Sequence, residues 1–520
     1  MPERSGSLTL LKKAFMEMLI SYAGIALFLG LIIVVLERTR HRDATFSEYA
    51  TAGRSFGPFF GTMAFTNTWM PGTVFISFAG LAAGAGIIGF YLVAYSMAAV
   101  ALMAALAKPV HDWGRKFDLR TQADLLGMRY NSKAVRLVAS GIGIIATLPW
   151  VILGMQSLAL VFSYLSFGHV APFVAVLISI GVIVFRQIWT VKYGMRGVVI
   201  SDMVQGIFAY FIGTMIAVGL IVWLLANGHG FGEVAPAFYT LPGVGSELGP
   251  LYTLSIVITG AAGSWCWPDI FVRLFTADSV RTIKRTAIQS TPLVLIFGTA
   301  VCLVALLASS MPDVAAAPDN VWFITASVGG VGLVTLAGIC VVGATLGNVG
   351  ANLQALGTQT ANDVVGVVQG HRMEDPRIGK IAVAAITAVC AIGAFFTANT
   401  TSGLVILALV SYQGIVQLAP TLFLGIFWKR GNATAAVASM VSGFGTAAAL
   451  QILYPVSIPW LGGLTSGVAA LVVNLAVYVI CSYAAPHNPT ETERVNQLWR
   501  VHKGDTSYAP DLITAPNHSS

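Results

Sequence analysis

Apolar segments alternate with short polar gaps along the whole chain. A segment of about 20 apolar residues can cross the hydrocarbon core of a bilayer as an α-helix. The pattern predicts thirteen such helices, at residues 15–36, 57–81, 86–108, 134–165, 171–188, 197–225, 250–273, 287–309, 331–362, 379–397, 402–428, 432–454 and 462–484. We therefore expect an all-α membrane protein.

Two of these segments are interrupted near their middle. The second carries Asn67-Thr68-Trp69-Met70-Pro71-Gly72, and the seventh carries Gly and Pro within residues 260–268. Proline removes a main-chain donor and glycine weakens a helix. In lipid, broken main chain persists only where protein or a water-filled cavity satisfies it. Matched interruptions indicate a transporter of inverted repeats that binds its solute at the breaks. Two ordinary proline kinks are the alternative interpretation.

The interrupted segments each begin a group of five, and this divides the chain. Five crossings separate the two starts, so the groups enter the membrane from opposite sides. The predicted parts are an N-terminal accessory helix and loop (1–56), a first five-helix repeat (57–225), a second five-helix repeat (250–428), two accessory helices (432–484) and a tail (485–520).

Lysine and arginine fix an orientation for this arrangement. After Lys13 they lie in alternate gaps, whereas residues 226–250 and 309–332 contain none. Cytoplasmic loops retain Lys and Arg while translocated loops lose them. The pattern predicts an odd number of crossings in a cell membrane, with the N-terminus outside and the C-terminus in the cytoplasm. The few basic residues of the N-terminal tail favour the opposite orientation but are outnumbered.

Composition restricts the class of protein further. Hydrophobic residues make up 56% of the chain and charged residues 10%, against about a quarter charged in soluble domains. The net charge of +7 fits loops beside anionic lipid, so we expect no nucleic-acid partner. The five cysteines lie in apolar segments without metal spacing. No nucleophile–base pair, metal cluster or phosphate loop is evident, which argues against an enzyme.

Four stretches resemble a known family. They are residues 49–57 (YATAGRSFG), 192–205 (KYGMRGVVISDMVQ), 268–273 (PDIFVR) and 419–431 (APTLFLGIFWKRG). Their order and spacing are similar to those of the sodium:solute symporter family, which transports proline, pantothenate, sugars, sialic acid and monocarboxylates. The resemblance implies a leucine-transporter-like fold of two inverted five-helix repeats. It also implies alternating access, driven by sodium, around the unwound first and sixth core helices.

The resemblance also assigns a sodium site, from which this chain departs. Family members use main-chain carbonyls of the first and eighth core helices, which fall here on Asn67, Met70 and Ala344. They add two adjacent hydroxyls of the eighth helix, which fall on Gly347 and Asn348. Glycine has no side chain, and Asn348 offers only an amide oxygen. We expect sodium coupling through Asn348, with a serine at position 347 restoring an oxygen if it fits.

Proton coupling and loss of coupling are the alternatives. Proton coupling requires a titratable group within the membrane. The candidates Asp202, Asp269 and Asp363 lie near helix ends and close to basic residues such as Arg196 and Arg273. Their plainer interpretation is ion pairing. The sequence therefore predicts no evident proton carrier at mid-membrane.

Polar and aromatic residues near the breaks predict the substrate site. A small carboxylate or zwitterion, such as a monocarboxylate or an amino acid, is favoured because half-helix N-termini can hold a carboxylate. Aromatic rings suit its apolar body. A neutral sugar or nucleobase-like compound is the alternative, and for any single residue helix packing is the default role. The candidates are Asn67, Trp69, Gln156, Ser264, Trp265, Tyr412 and Gln413, with Trp150 and Trp267 beside them.

Two other classes compete with a transporter. Symporter-like domains also occur as sensory modules fused to histidine kinases, but no catalytic domain follows the last predicted helix. A channel is disfavoured, because paired breaks imply an occluded central site rather than a lined pore.

Overall fold

The computed structural model describes residues 3–39, 45–397, 410–486 and 488–503, and this part of the chain is almost entirely helical. The helices are α1 (Glu3–Arg38), α2 (Phe46–Thr51), α3 (Pro58–Trp69), α4 (Ser77–Ala85), α5 (Tyr91–Lys116), α6 (Gln122–Tyr130), α7 (Lys133–Leu165), α8 (Pro172–Gly206), α9 (Gly213–Ala226), α10 (Tyr252–Gly263), α11 (Pro268–Thr276), α12 (Val280–Ala308), α13 (Pro312–Ala316), α14 (Val321–Ala326), α15 (Gly330–Gln359), α16 (Gly366–Gln369), α17 (Pro376–Phe396), α18 (Val410–Phe427), α19 (Ala433–Leu453), α20 (Ser466–Ala484) and α21 (Pro489–Lys503). The predicted all-α class is confirmed.

Helix counts differ between the sequence pattern and the structure. Within the described residues, ten helical stretches are long and apolar enough to span a membrane. One of them, Pro172–Ala226, joins α8 and α9 through a π-helical stretch at Ile207–Ile212. Its 55 residues exceed the roughly 20 that one crossing needs. The stretch is kinked at Gly194, whose φ of 57° and ψ of −150° lie outside the helical region. The count of thirteen stays a prediction, as do the boundaries of the two repeats.

Both expected interruptions are present. α3 ends at Trp69, Met70 leaves the helical region with φ −109° and ψ 75°, and α4 begins only at Ser77. We call residues 70–76 the first break. α10 ends at Gly263, a short 3-10 turn follows, and Trp267 is extended with φ −68° and ψ 127° before α11 begins. We call residues 264–267 the second break.

The long helix α15 lies at the centre of the bundle. It is buried along almost all of its length after residue 334, and its glycines allow neighbouring helices to approach closely. Each of five glycines faces a different helix: Gly338 meets Leu165 of α7, Gly343 meets Phe28 of α1, Gly347 meets Asn67 of α3, Gly350 meets Arg186 of α8 and Gly357 meets Val383 of α17.

The basic loops meet at one end of the molecule, which we call the basic face. Contacts there join residues 37–39, 45–56, 108–136, 190–196, 273–278, 370–380 and 428–431. The carboxylate of Asp118 is central, because it accepts from Ser47 at 2.5 Å, Arg372 at 2.7 Å and Arg120 at 3.2 Å. Burial raises the pKa of Asp118, but Ser47 and the neighbouring guanidinium groups outweigh it and hold the pKa below its usual value.

A helix that the apolar pattern did not predict covers part of this face. α21 lies in the predicted tail and is largely polar. Arg494 donates to the carbonyls of Met128 at 3.0 Å and Arg129 at 2.6 Å, and it pairs with Glu491 at 2.7 Å. The main-chain carbonyl of Leu498 accepts the ring N–H of a buried tryptophan of α5. The tail is therefore anchored to the end of α6.

Candidate functional site

Five aromatic side chains meet where the two breaks approach each other. They come from the end of α3, from α5, from α7, from the second break and from α18. The rings of Trp150 and Trp267 have centroids 5.5 Å apart, and each lies 5.4 Å from the ring of Tyr412. Tyr95 lies 6.5 Å from Tyr412 and 5.6 Å from Trp69. We call these residues the aromatic cluster. Because the rings touch, a solute could bind among them only if they separate.

Two predicted residues of the second break do not point into this cluster. The ring N–H of Trp265 donates to the Ala99 carbonyl at 2.8 Å, and the ring stacks on Phe65 with centroids 5.8 Å apart. The hydroxyl of Ser264 bonds to the Ala261 carbonyl of its own helix at 2.7 Å. Trp265 thus packs behind the cluster, while its neighbour Trp267 lies within it.

Two predicted glutamines bind elsewhere. Gln156 donates to the Thr397 hydroxyl at 2.6 Å, at the end of α17. Gln413 accepts the main-chain N–H of Gly467 at 2.8 Å and so attaches α18 to the accessory helix α20. The structure does not bring these two side chains to the cluster. Tyr412 does lie in the cluster, because consecutive residues of a helix point about 100° apart.

Asn67 fills a buried polar site beneath the first break. Its amide nitrogen donates to Asp202 at 3.0 Å and to Gln205 at 3.1 Å. The hydroxyl of Tyr210 lies 3.0 Å from the amide oxygen of Asn67 and 2.6 Å from the carbonyl oxygen of Met70. The side chain of Asn67 therefore binds α8 and the π-helical stretch after it, rather than the aromatic cluster.

Asn348 of α15 bridges the first break to the aromatic cluster. Its amide nitrogen lies 2.7 Å from the carbonyl oxygen of Thr68, and its amide oxygen lies 3.2 Å from the ring nitrogen of Trp150. The orientation of this amide is determined by its partners, because an indole N–H can only donate and a carbonyl can only accept. The oxygen of Asn348 consequently points to Trp150, and its N–H group points to the broken helix.

These features agree with the comparisons. The model of the sodium:solute symporter family matches residues 49–443 of this chain. The chain belongs to the sodium:solute symporter family. Members of this family are transporters, so an enzyme is excluded as the class of protein, and the apolar helices identify a multi-pass membrane protein.

Individual relatives of this symporter are distant but nearly full-length. It is 24% identical over 482 residues to an uncharacterized symporter, YhjB, of Bacillus subtilis, across 88% of this chain and 94% of the relative. It is 22% identical over 470 residues to a monocarboxylic acid transporter of Corynebacterium glutamicum, across 83% of each. A Na⁺-coupled sialic acid symporter has a similar structure, with a TM-score of 0.69 and 16% identity over 90% of this chain and 98% of that one. This likeness confirms the leucine-transporter-like fold.

Two of the predicted sodium ligands of this symporter accept hydrogen bonds in the arrangement seen. Sodium requires oxygen ligands, but the Asn348 oxygen accepts from Trp150 and the carbonyl of Met70 accepts from Tyr210. The carbonyl of Ala344 lies within the continuous helix α15. The N–H group of Asn348 occupies the side that faces the first break, and an N–H donor repels a cation.

A serine at position 347 of this symporter would collide with Asn67. A Cβ atom built on Gly347 would overlap the amide nitrogen of Asn67. The expectation that serine restores an oxygen therefore requires the Asn67 side chain to move, and it stays a prediction. The absence of a side chain at Gly347 leaves room for the amide of Asn67, which reaches Asp202.

Four buried ionisable side chains surround the two breaks. Asp202 pairs with Arg273 at 3.0 Å, and Arg273 also donates to the Thr68 hydroxyl at 2.7 Å. The guanidinium of Arg186 donates to the Ser201 hydroxyl at 2.5 Å and packs against Gly350 of α15. The fourth is Asp269, in the first turn of α11.

Three carboxylates were predicted to form ion pairs. Asp202 and Asp363 do so, the latter with Arg136 at 2.7 Å, whereas Asp269 has no ion pair within the described chain.

Gly347→Ser tests whether α3 and α15 are as closely packed as the structure indicates. The new side chain must displace Asn67, and overpacking of this kind costs about 1–3 kcal/mol. We expect a lower melting temperature for the purified protein in detergent. Gly141→Ser is the matched control, because a Cβ atom there meets nothing within 4 Å. Equal melting temperatures for the two variants would contradict the packing argument.

Proposed function

We propose that this symporter takes up a small monocarboxylate by alternating access. The observation that carries the proposal is the aromatic cluster at the junction of the two breaks. Trp150, Trp267 and Tyr412 offer apolar ring faces to a small organic body, and tyrosine hydroxyls add polar contacts. The name of the relative from Corynebacterium glutamicum, a monocarboxylic acid transporter, supports the same substrate class.

Buried guanidinium groups near the two breaks support an anionic substrate over a neutral one. Arg273 lies in the helix that follows the second break, and its guanidinium donates to Thr68 beside the first break. Arg186 adds a second buried guanidinium on α8. Buried charges are retained where they are paired or bind a ligand. An amino acid is the second candidate, because Asp269 could receive its ammonium group.

Contacts at the basic face support a cycle that begins with this end closed. Main-chain hydrogen bonds join Phe56, before α3, to residues 276 and 278, after α11. The guanidinium of Arg54 donates to the carbonyls of Phe275 and Leu119. Release of a solute on this side requires these contacts to break, while binding from the opposite side does not.

The contacts of Asn348 and Met70 support transport without sodium at the family's position. We expected sodium coupling from the resemblance, and that expectation remains the rival proposal. A remade site would need the Asn348 oxygen to leave Trp150 and turn towards the first break. Such a rotation would leave the ring N–H of Trp150 without its partner. It would also bring that oxygen beside the carbonyl of Thr68, where two acceptors repel each other unless a cation lies between them.

The first test concerns the substrate. Purified protein in liposomes should exchange labelled pyruvate for unlabelled pyruvate or lactate. Trp267→Ala should weaken the apparent affinity roughly tenfold, because a lost contact in a dry site costs about 1–3 kcal/mol. The control is Trp460→Ala, since that ring is 66% exposed. Saturable uptake of an amino acid, without any exchange of pyruvate or lactate, would overturn the proposed substrate class.

A second test replaces sodium with choline on both sides of the liposome membrane. Because the Asn348 oxygen and the Met70 carbonyl already accept hydrogen bonds, pyruvate uptake should be unchanged at a fixed pH gradient. Loss of uptake in choline, restored by sodium, would instead support the sodium coupling inferred from the family.

The third test concerns orientation, for which we propose an outer N-terminus and a cytoplasmic basic face. Single cysteines are placed in a background without the five native ones. Val244, 94% exposed in the loop before α10, should react as cysteine with an impermeant thiol reagent in intact cells. Val368, 76% exposed near the basic face, should react only after the cells are opened. The reverse pattern would invert the topology.

A further inference from the structure

Asp269 is a buried carboxylate to which the proposed uptake of a monocarboxylate has so far assigned no role. It is 2% exposed and lies in the first turn of α11, immediately after the second break and two residues from Trp267. Main-chain N–H groups of Ile270 and of Asp269 itself hydrogen-bond to the carboxylate, but its Oδ1 atom is buried and has no hydrogen-bond partner within the described chain. Buried polar atoms are almost always satisfied. An unsatisfied carboxylate oxygen at a break in a membrane helix therefore points to a group that binds something during the transport cycle.

The neighbouring cations are engaged by other groups. Arg273, one turn further along α11, pairs with Asp202 and donates to Thr68. Arg186 donates to Ser201 and to a threonine of its own helix. Asp269 thus has no direct ion pair. Its negative charge still contributes to the total charge of the four buried ionisable side chains. Two guanidinium groups and two carboxylates are buried around the breaks, and together they are neutral when Asp269 is ionised.

We infer that Asp269 is the proton carrier of this symporter and is protonated whenever a monocarboxylate anion is bound. The inference deepens the proposed function and rests on it. If Asp269 stayed ionised, its carboxylate and that of a substrate anion bound beside it would repel each other in a buried site. A proton on Asp269 removes that repulsion and leaves the buried set with one uncompensated positive charge. A monocarboxylate anion restores neutrality.

The transport step balances in atoms and charge. One proton from the outer solution binds the carboxylate of Asp269, and one substrate anion binds beside it. After the basic face opens, the anion leaves and the O–H bond of Asp269 breaks, so that its proton passes to the inner solution. The empty protein returns with Asp269 ionised. Each cycle moves one proton and one anion inwards.

A row of buried polar groups leads from the second break along α7 and α15. A Cβ atom on Gly143 would lie 2.8 Å from the amide nitrogen of Gln359 and 3.4 Å from the ring of Pro268, the residue before Asp269. Gln359 donates to the Ser140 carbonyl at 3.2 Å, and its own oxygen and the Ser140 hydroxyl are buried without partners. These groups could exchange a proton with the basic face through water.

Other charged groups around Asp269 are few. Those that face it are Arg273 on its own helix and Asp202 on α8, with the phenol of Tyr412 on α18. Helices α3 and α15, which pack against α11, carry no charged residue. The other elements that pack against α11 carry charged side chains that belong to the basic face. They are Glu48 on α2, Arg54 on the 3-10 turn that follows α2, Asp124 and Arg129 on α6, and Lys108, His111, Asp112, Arg115 and Lys116 on α5.

Asp269→Asn tests the inference, because the amide is isosteric with the protonated carboxyl but cannot release a proton. Liposomes containing the full-length protein and a trapped pH indicator are given pyruvate. In the wild-type protein, inward pyruvate flux should acidify the lumen, and an inside-alkaline gradient should drive accumulation. In Asp269→Asn, acidification and gradient-driven accumulation should fall to the level of protein-free liposomes. Exchange of pyruvate for pyruvate should persist, because exchange needs no net proton movement.

Two variants complete the design. Asp269→Glu should restore some acidification, since it returns a titratable group. Asp313→Asn, at an exposed position in the short helix α13, should behave like the wild type. Acidification by Asp269→Asn at the wild-type rate would overturn the inference while leaving the substrate proposal intact. Failure of the wild type to exchange pyruvate or lactate would instead overturn the proposed function and the inference with it. Loss of exchange in Asp269→Asn, with an unchanged melting temperature, would identify a substrate-binding rather than a proton-carrying role.

Discussion

The structure depends on satisfying main-chain groups that two broken helices expose inside the membrane. Lipid offers no hydrogen bonds, and each unsatisfied group there costs several kcal/mol. Side chains from distant parts of the chain meet this need. Asn348 donates to the carbonyl of Thr68 and Tyr210 to that of Met70, while Gln122 donates to the carbonyl of Trp265 at 2.6 Å. The breaks can persist because α6, α15 and the π-helical stretch after α8 supply these donors.

The link between Asn348 and Thr68 differs in kind from one made by an ion. A bound cation that joins two helices leaves when its concentration falls, and the helices are then free to separate. An amide is covalently part of α15, so its hydrogen bond does not respond to the ions in solution. The same amide holds Trp150 of the aromatic cluster. The first break and one wall of the cluster are therefore fixed relative to α15, and any solute-dependent rearrangement must involve other members of the cluster.

Structural features that depend on residues close together in sequence were predictable. Features that depend on a contact with a residue far away in sequence were not. Proline and glycine act within a few residues, so both breaks could be placed from the sequence. The contact of Gln413 with Gly467 depends on α20, and the orientation of the Asn348 amide depends on Trp150; neither partner is near in sequence. Apolar patterning could not find α21, because that helix is polar. Nor could it show that α8 continues past Gly194 into α9 without an exposed loop.

The burial of Asp269 can be explained by the net charge of the buried site, counted once in the empty protein and once in the loaded protein. An unbalanced charge in a low-dielectric interior is strongly unfavourable. In the empty protein, two guanidinium groups face two carboxylates. In the loaded protein, the proton on Asp269 removes one negative charge and the substrate anion supplies another. The buried set is neutral in each state, so neither crossing moves net charge through the membrane. Since a net charge would gain or lose about 2.3 kcal/mol per 100 mV, such a cycle responds to the proton gradient but not to the membrane potential.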